Sequence, residues 1–270
     1  MTEKKSEFSE WLERVHRMTL EAGAIIMRYY ETGHESQLKA DKSPVTDADL
    51  AANAFIVEGL ARLTPGIPIV SEEGDKTLPA GAELFWLVDP LDGTKSFIRR
   101  KPTFTVNIGL IHKGKAVLGA IDVPAQKTAY WGDLQNGAFR LQQGGNPERI
   151  RTRPAPAEGL TAIISHSHST PETDAYLQTH PIHAVTSAAS SLKFCRVAEG
   201  TADLYPRFGP TMEWDTAAGH AILNAAGGRL VQPDGSAFLY GKKGFKNGNF
   251  VALGFLDAPL KQRRPGEDSK

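Results

Sequence analysis

The sequence predicts an α/β protein, and three observations carry that reading. Two amphipathic helical stretches open the chain, and short apolar runs divided by turns follow from Ile67 to Val123. Strand-like and helix-like segments then alternate as far as Ala226, the pattern of helices packed on sheets.

Phe8, Trp11, Leu12, Val15, Met18, Ala22, Ile25, Ile26 and Tyr29 recur at three- and four-residue steps. That is one face of a helix, stopped near Gly33. His34 to Pro44 is polar and reads as a loop. A second helix is expected from Asp47 to Leu63, buried through Leu50, Ala54, Val57 and Leu60, with Pro65-Gly66 ending it. Strands are expected at Ile67–Val70, Phe85–Val88, Phe104–Ile111 and Ala116–Val123, the last two joined by a hairpin turn over His112-Lys113-Gly114-Lys115. Gln143 to Glu158, rich in Gly, Pro and charge, divides an N-terminal half (1–150) from a C-terminal half (151–270) of one compact unit. Beyond it come a strand at Thr161–Ser165, a helix near Leu192–Ala198, a strand at Ala202–Tyr205 and a helix from Asp215 to Ala226. Gly227-Gly228 caps that last helix, and the polar tail after Pro259 is expected to fray.

With 270 residues the chain can bury a sizeable core. Thirty-one basic residues balance thirty-one acidic ones, so no excess charge points to nucleic acid as the main partner. The single cysteine, Cys195, excludes an intramolecular disulfide framework and a cysteine-rich zinc site, and suits a reducing compartment. Met1 to Phe8 lack the apolar core of a secretory signal, and no run reaches the length of a membrane span. The expected place is cytoplasmic, with a peripheral position at the cytoplasmic face of the inner membrane left open.

Acidic residues stand where strands end. Ile67–Val70 runs into Ser71-Glu72-Glu73-Gly74, and Phe85–Val88 into Asp89-Pro90-Leu91-Asp92-Gly93-Thr94. Ligands of α/β folds collect at strand ends. Pro90 has no N–H and is expected to stop the strand. Taken alone, each segment reads as turn capping or solvated charge; together they put Glu72, Asp89 and Asp92 in neighbouring loops. Carboxylates brought together repel unless a cation lies between them, and oxygen ligands of this kind suit Mg²⁺. Thr46 and Asp49 have the spacing of a capping box, which leaves Asp49 open between capping and the site. Asp215, opening another helix, is open in the same way.

In order, these segments resemble the inositol monophosphatase superfamily. The residues that carry the resemblance are Ser43-Pro44-Val45-Thr46 with Asp49, Ser71-Glu72-Glu73-Gly74, Trp86-Leu87-Val88-Asp89-Pro90-Leu91-Asp92-Gly93-Thr94 and Trp214-Asp215-Thr216-Ala217-Ala218-Gly219. Within it, the chain looks most like the 3'(2'),5'-bisphosphate nucleotidases. Thr94-Lys95 followed by Phe97-Ile98, Phe104 to Ile108, Ser190 to Cys195, and Tyr205 to Pro210 leading into Glu213 supply that likeness. Two positions depart from the pattern: Ser96 stands where Glu is usual, and Ala189 where Gly is usual.

The resemblance implies a layered αβαβα sandwich of the inositol monophosphatase and fructose-1,6-bisphosphatase type. It implies two to three Mg²⁺ ions: one held by Glu72, Asp89 and the Leu91 carbonyl, a second by Asp89, Asp92 and Asp215, and a looser third near Glu72. Thr94, oriented by Asp49 and assisted by Glu72, would activate the attacking water. Leu91, Asp92, Gly93, Thr94 and Asp215 would face the scissile phosphate. His168, Ser190, Lys193 and Arg207 would hold the second phosphate of a nucleotide, with His166 the competitor of His168. The implied reaction is hydrolysis of adenosine 3',5'-bisphosphate, or its phosphosulfate relative, to AMP and phosphate, as in sulfur metabolism, with inhibition by lithium. The enzyme would be a monomer or homodimer.

Three other readings compete. An inositol monophosphate or sugar-phosphate phosphatase needs no second phosphate pocket, so Lys193 and Arg207 favour the nucleotide. A phosphatase with an aspartyl nucleophile would need Asp-x-Asp, whereas Asp89 and Asp92 are three apart and do not share a face of an extended strand. A silent nucleotide-binding protein would be expected to lose metal ligands, and all four carboxylates are present.

Overall fold

The first apolar stripe folds as helix α1 (Glu7–Thr32) in the computed structural model, which describes residues 7–33, 36–38, 44–166 and 170–254. Leu12, Val15, Ala22 and Ile26 are buried along one side of it, the spacing a 3.6-residue turn requires. Strand β1 (Ser36–Leu38), inside the stretch expected to be loop, pairs antiparallel with β2 (Pro44–Thr46), which begins at the last residue of that stretch. Ser43, His168 and the tail after Pro259 lie outside the described residues.

Helix α2 (Asp47–Leu63) has the expected bounds but a different buried face. Ala48, Ala52, Ile56 and Leu60 are buried, whereas Leu50 is 49% exposed and Ala54 is exposed. The four-residue step from Ala48 turns Asp49 inward beside it; of the expected stripe Leu60 is buried and Val57 half-buried, while Leu50 and Ala54 turn to solvent.

A seven-stranded sheet follows. It comprises β3 (Ile69–Ser71), β4 (Leu84–Asp92), β5 (Thr105–His112), β6 (Lys115–Val123), β7 (Thr128–Asp133), β8 (Gly137–Gln142) and β9 (Glu148–Ile150), in that spatial order. Helix α3 (Thr94–Ile98) interrupts the β4–β5 connection. Only β3 and β4 are parallel. The β5–β6 hairpin turns at Lys113-Gly114, as expected, with φ of 50° and 73°. In β4, Phe85 and Leu87 pack toward one layer of helices and Trp86 and Val88 toward the other. Burial on both faces is why this strand reads as a continuous apolar run.

The second sheet has the order β11-β10-β12-β14-β13. Its elements, in chain order, are β10 (Leu160–Ser165), α4 (Pro171–Gln178), β11 (Ile182–Ala188), α5 (Leu192–Ala198), β12 (Leu204–Arg207), α6 (Ala217–Ala225), β13 (Arg229–Val231) and β14 (Phe250–Leu253). The helix expected from Asp215 starts as a 3₁₀ turn, Glu213–Asp215, before α6 begins. Gly227 and Gly228 close α6, their amides donating to the carbonyls of Asn224 and Leu223 at 3.1 and 2.9 Å, the paired bonds of a Schellman cap.

Helices α1 and α2 cover one face of the large sheet, α5 and α6 fill the space between the sheets, and α4 covers the outer face of the small sheet. The result is the expected order α, β, α, β, α. Close approach of α6 depends on Gly119, where a Cβ would lie 2.2 Å from the Ala218 carbonyl oxygen. No helix among the described residues is long and apolar enough to cross a membrane.

Candidate active site

The carboxylates meet because of how β4 ends. Asp89 pairs with Asn107 and Asp92 with Thr105, so three steps along β4 match two along β5. This bulge corrects two expectations. The strand does not stop at Pro90, and residues three apart do come to one face, because the extra residue restores the alternation. Phe85, Leu87 and Asp89 alternate toward the inner helices, which is where Asp215 stands. The amide of Glu72 donates to the Val88 carbonyl at 3.0 Å and brings β3's end beside β4's. Asp215 Oδ2 accepts from the Met212 amide at 2.8 Å.

Ligand-type oxygens of Glu72, Asp89 and Asp215 all lie within 4.8 Å of one another. Burial, then the carboxylates of Glu72, Asp92, Asp215 and Asp49, holds Asp89 well above the usual carboxylate range. Burial, then Asp92, does the same for Asp215. Asp92 is also raised by burial, opposed chiefly by Lys193 and by hydrogen bonds from Ser191. A set of oxygen donors that oppose each other's ionisation fits a hard divalent cation such as Mg²⁺, whose charge would reverse those shifts.

Asp92 stands beside this trio. Its Oδ2 accepts from the Ser191 amide (2.8 Å), the Ser191 hydroxyl (3.0 Å) and Asn107 Nδ2 (3.4 Å). The Ser191 hydroxyl also lies 2.7 Å from the Asp215 carbonyl. Asn107 and Ser191 therefore tie the large sheet to the start of α5 at the site. Neither was picked out as a site residue, since a strand Asn and a helix-cap Ser carry no signal of a cross-sheet contact.

Asp49 does both things left open for it. Oδ2 accepts from the Thr46 amide (2.8 Å) and hydroxyl (2.5 Å), while the Asp49 amide donates back to Thr46 Oγ1, closing a capping box. Oδ1 accepts from Thr94 Oγ1 at 3.1 Å. The Leu91 carbonyl is 3.2 Å from the same hydroxyl. With its one hydrogen directed at these acceptors, Thr94 can accept a further hydrogen bond. Gly93 precedes it at φ 91°, where a Cβ would lie 2.3 Å from Ser190 Oγ; no other residue fits there without displacing Ser190.

These groups border one cavity of about 490 Å³. Of the expected site residues, Glu72, Asp89, Leu91, Asp92, Gly93, Thr94, Ser190, Lys193, Arg207 and Asp215 line it, with Asp49 behind Thr94. His166 lines it too, and so do Ser96 and Ala189; His168 is outside the described residues. Lys193 and Arg207 are buried rather than ordinary surface charges. Lys193 Nζ donates to the Ser190 carbonyl at 2.6 Å. Burial, with Arg207 adding to it, lowers its pKa to about 8 against the opposing pull of Asp92 and Asp215. Arg207 donates to the Pro210 carbonyl at 3.1 Å, and its buried Nε has no partner among the described residues. Lys95, Arg99 and Lys101 complete the wall and were not anticipated.

A model of the inositol monophosphatase family matches residues 8–262, and the chain belongs to that family. It is 46% identical over 233 residues to the 3'(2'),5'-bisphosphate nucleotidase CysQ of Salmonella typhimurium strain LT2, covering 85% of this chain and 93% of that one. The nucleotidase CysQ of Escherichia coli strain K12 is 44% identical over 237 residues, with the same coverage. The crystal structure of CysQ from Bacteroides thetaiotaomicron, described as a bacterial member of the inositol monophosphatase family, superposes with a TM-score of 0.79. It is 39% identical, over 92% of this chain and 98% of that one.

Proposed function

We propose that the chain is a magnesium-dependent phosphatase that hydrolyses adenosine 3',5'-bisphosphate to AMP and phosphate in the cytoplasm. The observation that carries this reading is one cavity with a carboxylate floor and two buried cations in its wall, one of them with an unpartnered donor. A carboxylate floor suits a metal-supported phosphate, and the buried cations suit a second one. The likeness to the CysQ nucleotidases supports the same substrate.

Glu72, Asp89, Asp92, Asp215 and the Leu91 carbonyl would hold the ions, two to three in number. Bound Mg²⁺ would neutralise charge on the phosphoryl group and make water more acidic. Thr94, its hydrogen directed to Asp49, accepts a hydrogen bond from the attacking water and fixes its oxygen toward phosphorus. Glu72 takes part in drawing off the proton. The Gly93 and Thr94 amides open α3, where first-turn N–H groups lack partners within the helix, and they receive the scissile phosphate. Ser190, Lys193 and Arg207 hold the other phosphate. No side chain needs to become phosphorylated.

The test compares kcat/KM for adenosine 3',5'-bisphosphate and inositol 1-phosphate in the unaltered enzyme, Lys193→Ala and Arg207→Ala. Each charge-assisted contact is worth about 1.5–3 kcal/mol, or roughly one to two powers of ten. The losses are expected on the nucleotide alone. Equal losses on both substrates would remove these residues from a second-phosphate site and leave the nucleotide resting on the likeness to the CysQ nucleotidases alone.

A further inference from the structure

Three cations line the cavity beyond the groups that hold metal or substrate. Lys95 lies on α3, and Arg99 and Lys101 follow it on the connection into β5. All three are exposed. None of their side chains has a hydrogen bond, ion pair or ring contact with a described residue. Elsewhere exposed cations do find carboxylates, as in Arg17–Glu13 and Arg62–Glu58. Their neighbour Arg100 differs again, lying over the Tyr30 ring at 5.0 Å. Three like charges left unpaired on one wall of an acidic-floored cavity repel one another. An arriving polyanion relieves that repulsion.

We propose that Lys95, Arg99 and Lys101 form an anion-recruiting wall at the mouth of the cavity, which draws in ligands carrying more than one phosphate-like group. This rests on the phosphatase reading and deepens it. The wall is distinct from the buried pair, Lys193 and Arg207. Buried cations act on a docked phosphate at short range and are little screened. Exposed cations act during approach, over about a Debye length of 10 Å at 0.1 M salt, and are screened as salt rises. A ligand with two phosphates feels that field roughly twice as strongly as a monoester. Selection by the wall is therefore by charge and not by shape.

The test follows kcat/KM on adenosine 3',5'-bisphosphate and inositol 1-phosphate, with Mg²⁺, from low to high ionic strength. The enzymes are the unaltered protein, Arg99→Gln/Lys101→Gln and Arg99→Lys/Lys101→Arg. Steering fields are worth about ten- to a thousandfold in association rate. The neutral double variant is expected to lose about tenfold or more on the bisphosphate at low salt, less on the monophosphate, and to show a flatter salt dependence. The charge-preserving pair keeps the unaltered slope. A neutral variant with the unaltered slope overturns the proposal. So does a charge-preserving pair that loses as much as the neutral one, because the wall would then act by shape. If the unaltered enzyme releases no phosphate from the bisphosphate at any salt, the functional reading itself fails and the wall falls with it.

Discussion

Replacing Asp89 with Asn should make the metal-free protein more stable while removing its activity. Asp89 is 2% exposed and faces both Glu72 and Asp215, with ligand-type oxygens within 4.8 Å. At that separation and an effective dielectric of about 20, two unit charges repel by roughly 3.5 kcal/mol. Asp89 belongs to two such pairs. Its raised pKa means that part of this repulsion is already relieved by proton uptake, so the net gain on removing the charge is smaller, on the order of 2 kcal/mol. Asn can retain the oxygen that accepts from the Leu91 amide at 3.1 Å. For a chain of this size, that gain corresponds to a rise in Tm of about 4 °C. The assay is thermal unfolding at neutral pH in EDTA and again with Mg²⁺. The unaltered protein should gain stability from Mg²⁺, and the variant should begin higher and gain little. A variant that melts lower than the unaltered protein in EDTA would show that the carboxylates are not in conflict.

Thr94→Val should lower kcat by about a hundredfold or more with Tm nearly unchanged. Asp49→Ala should lose activity and also about 1 kcal/mol of stability with its capping box; a stable Asp49→Ala would detach the cap from the site. Lys193, with a folded-state pKa of about 8, should lose its charge above that pH, so kcat/KM on the bisphosphate falls on the alkaline side while a monophosphate is spared. Between that value and the ordinary lysine range the unfolded chain holds more protons, so this group makes stability rise with pH there; Lys193→Gln should remove both effects. Asp122 is buried, and burial raises its carboxyl well above the usual range. Its contribution is fully present below the ordinary aspartate pKa and is lost as pH rises through the folded one. Asp122→Asn should therefore raise Tm at pH 8 more than at pH 5, and an equal fall at both would contradict this.

The sheet that carries the site was largely legible because β4 is buried on both faces, so Phe85 to Val88 is unbroken apolar sequence ending in acid. The bulge at its end was not. Sequence parity separates Asp89 from Asp92, and only pairing against Asn107 and Thr105 reveals the extra residue. Strands β7 and β8 escaped notice, as did β11, whose His183 and Thr186 to Ser187 alternate with apolar residues only weakly and are solvent-facing or nearly so. The buried side of α2 was misjudged because Leu50 is apolar yet half-exposed, while small Ala48 and Ala52 make the close contact. Lys193 and Arg207 could equally have been surface charges. Their burial depends on how α5 and β12 meet in the small sheet, a long-range fact that no local pattern contains.

The chemistry at the carboxylate floor is read most directly from the products of one reaction. Purified enzyme is incubated with adenosine 3',5'-bisphosphate and Mg²⁺, and the nucleotide product is identified while phosphate is counted. AMP and one phosphate per substrate are expected, abolished by EDTA and restored by Mg²⁺. Release of the 5'-phosphate to leave adenosine 3'-phosphate, or turnover that survives EDTA, would contradict it.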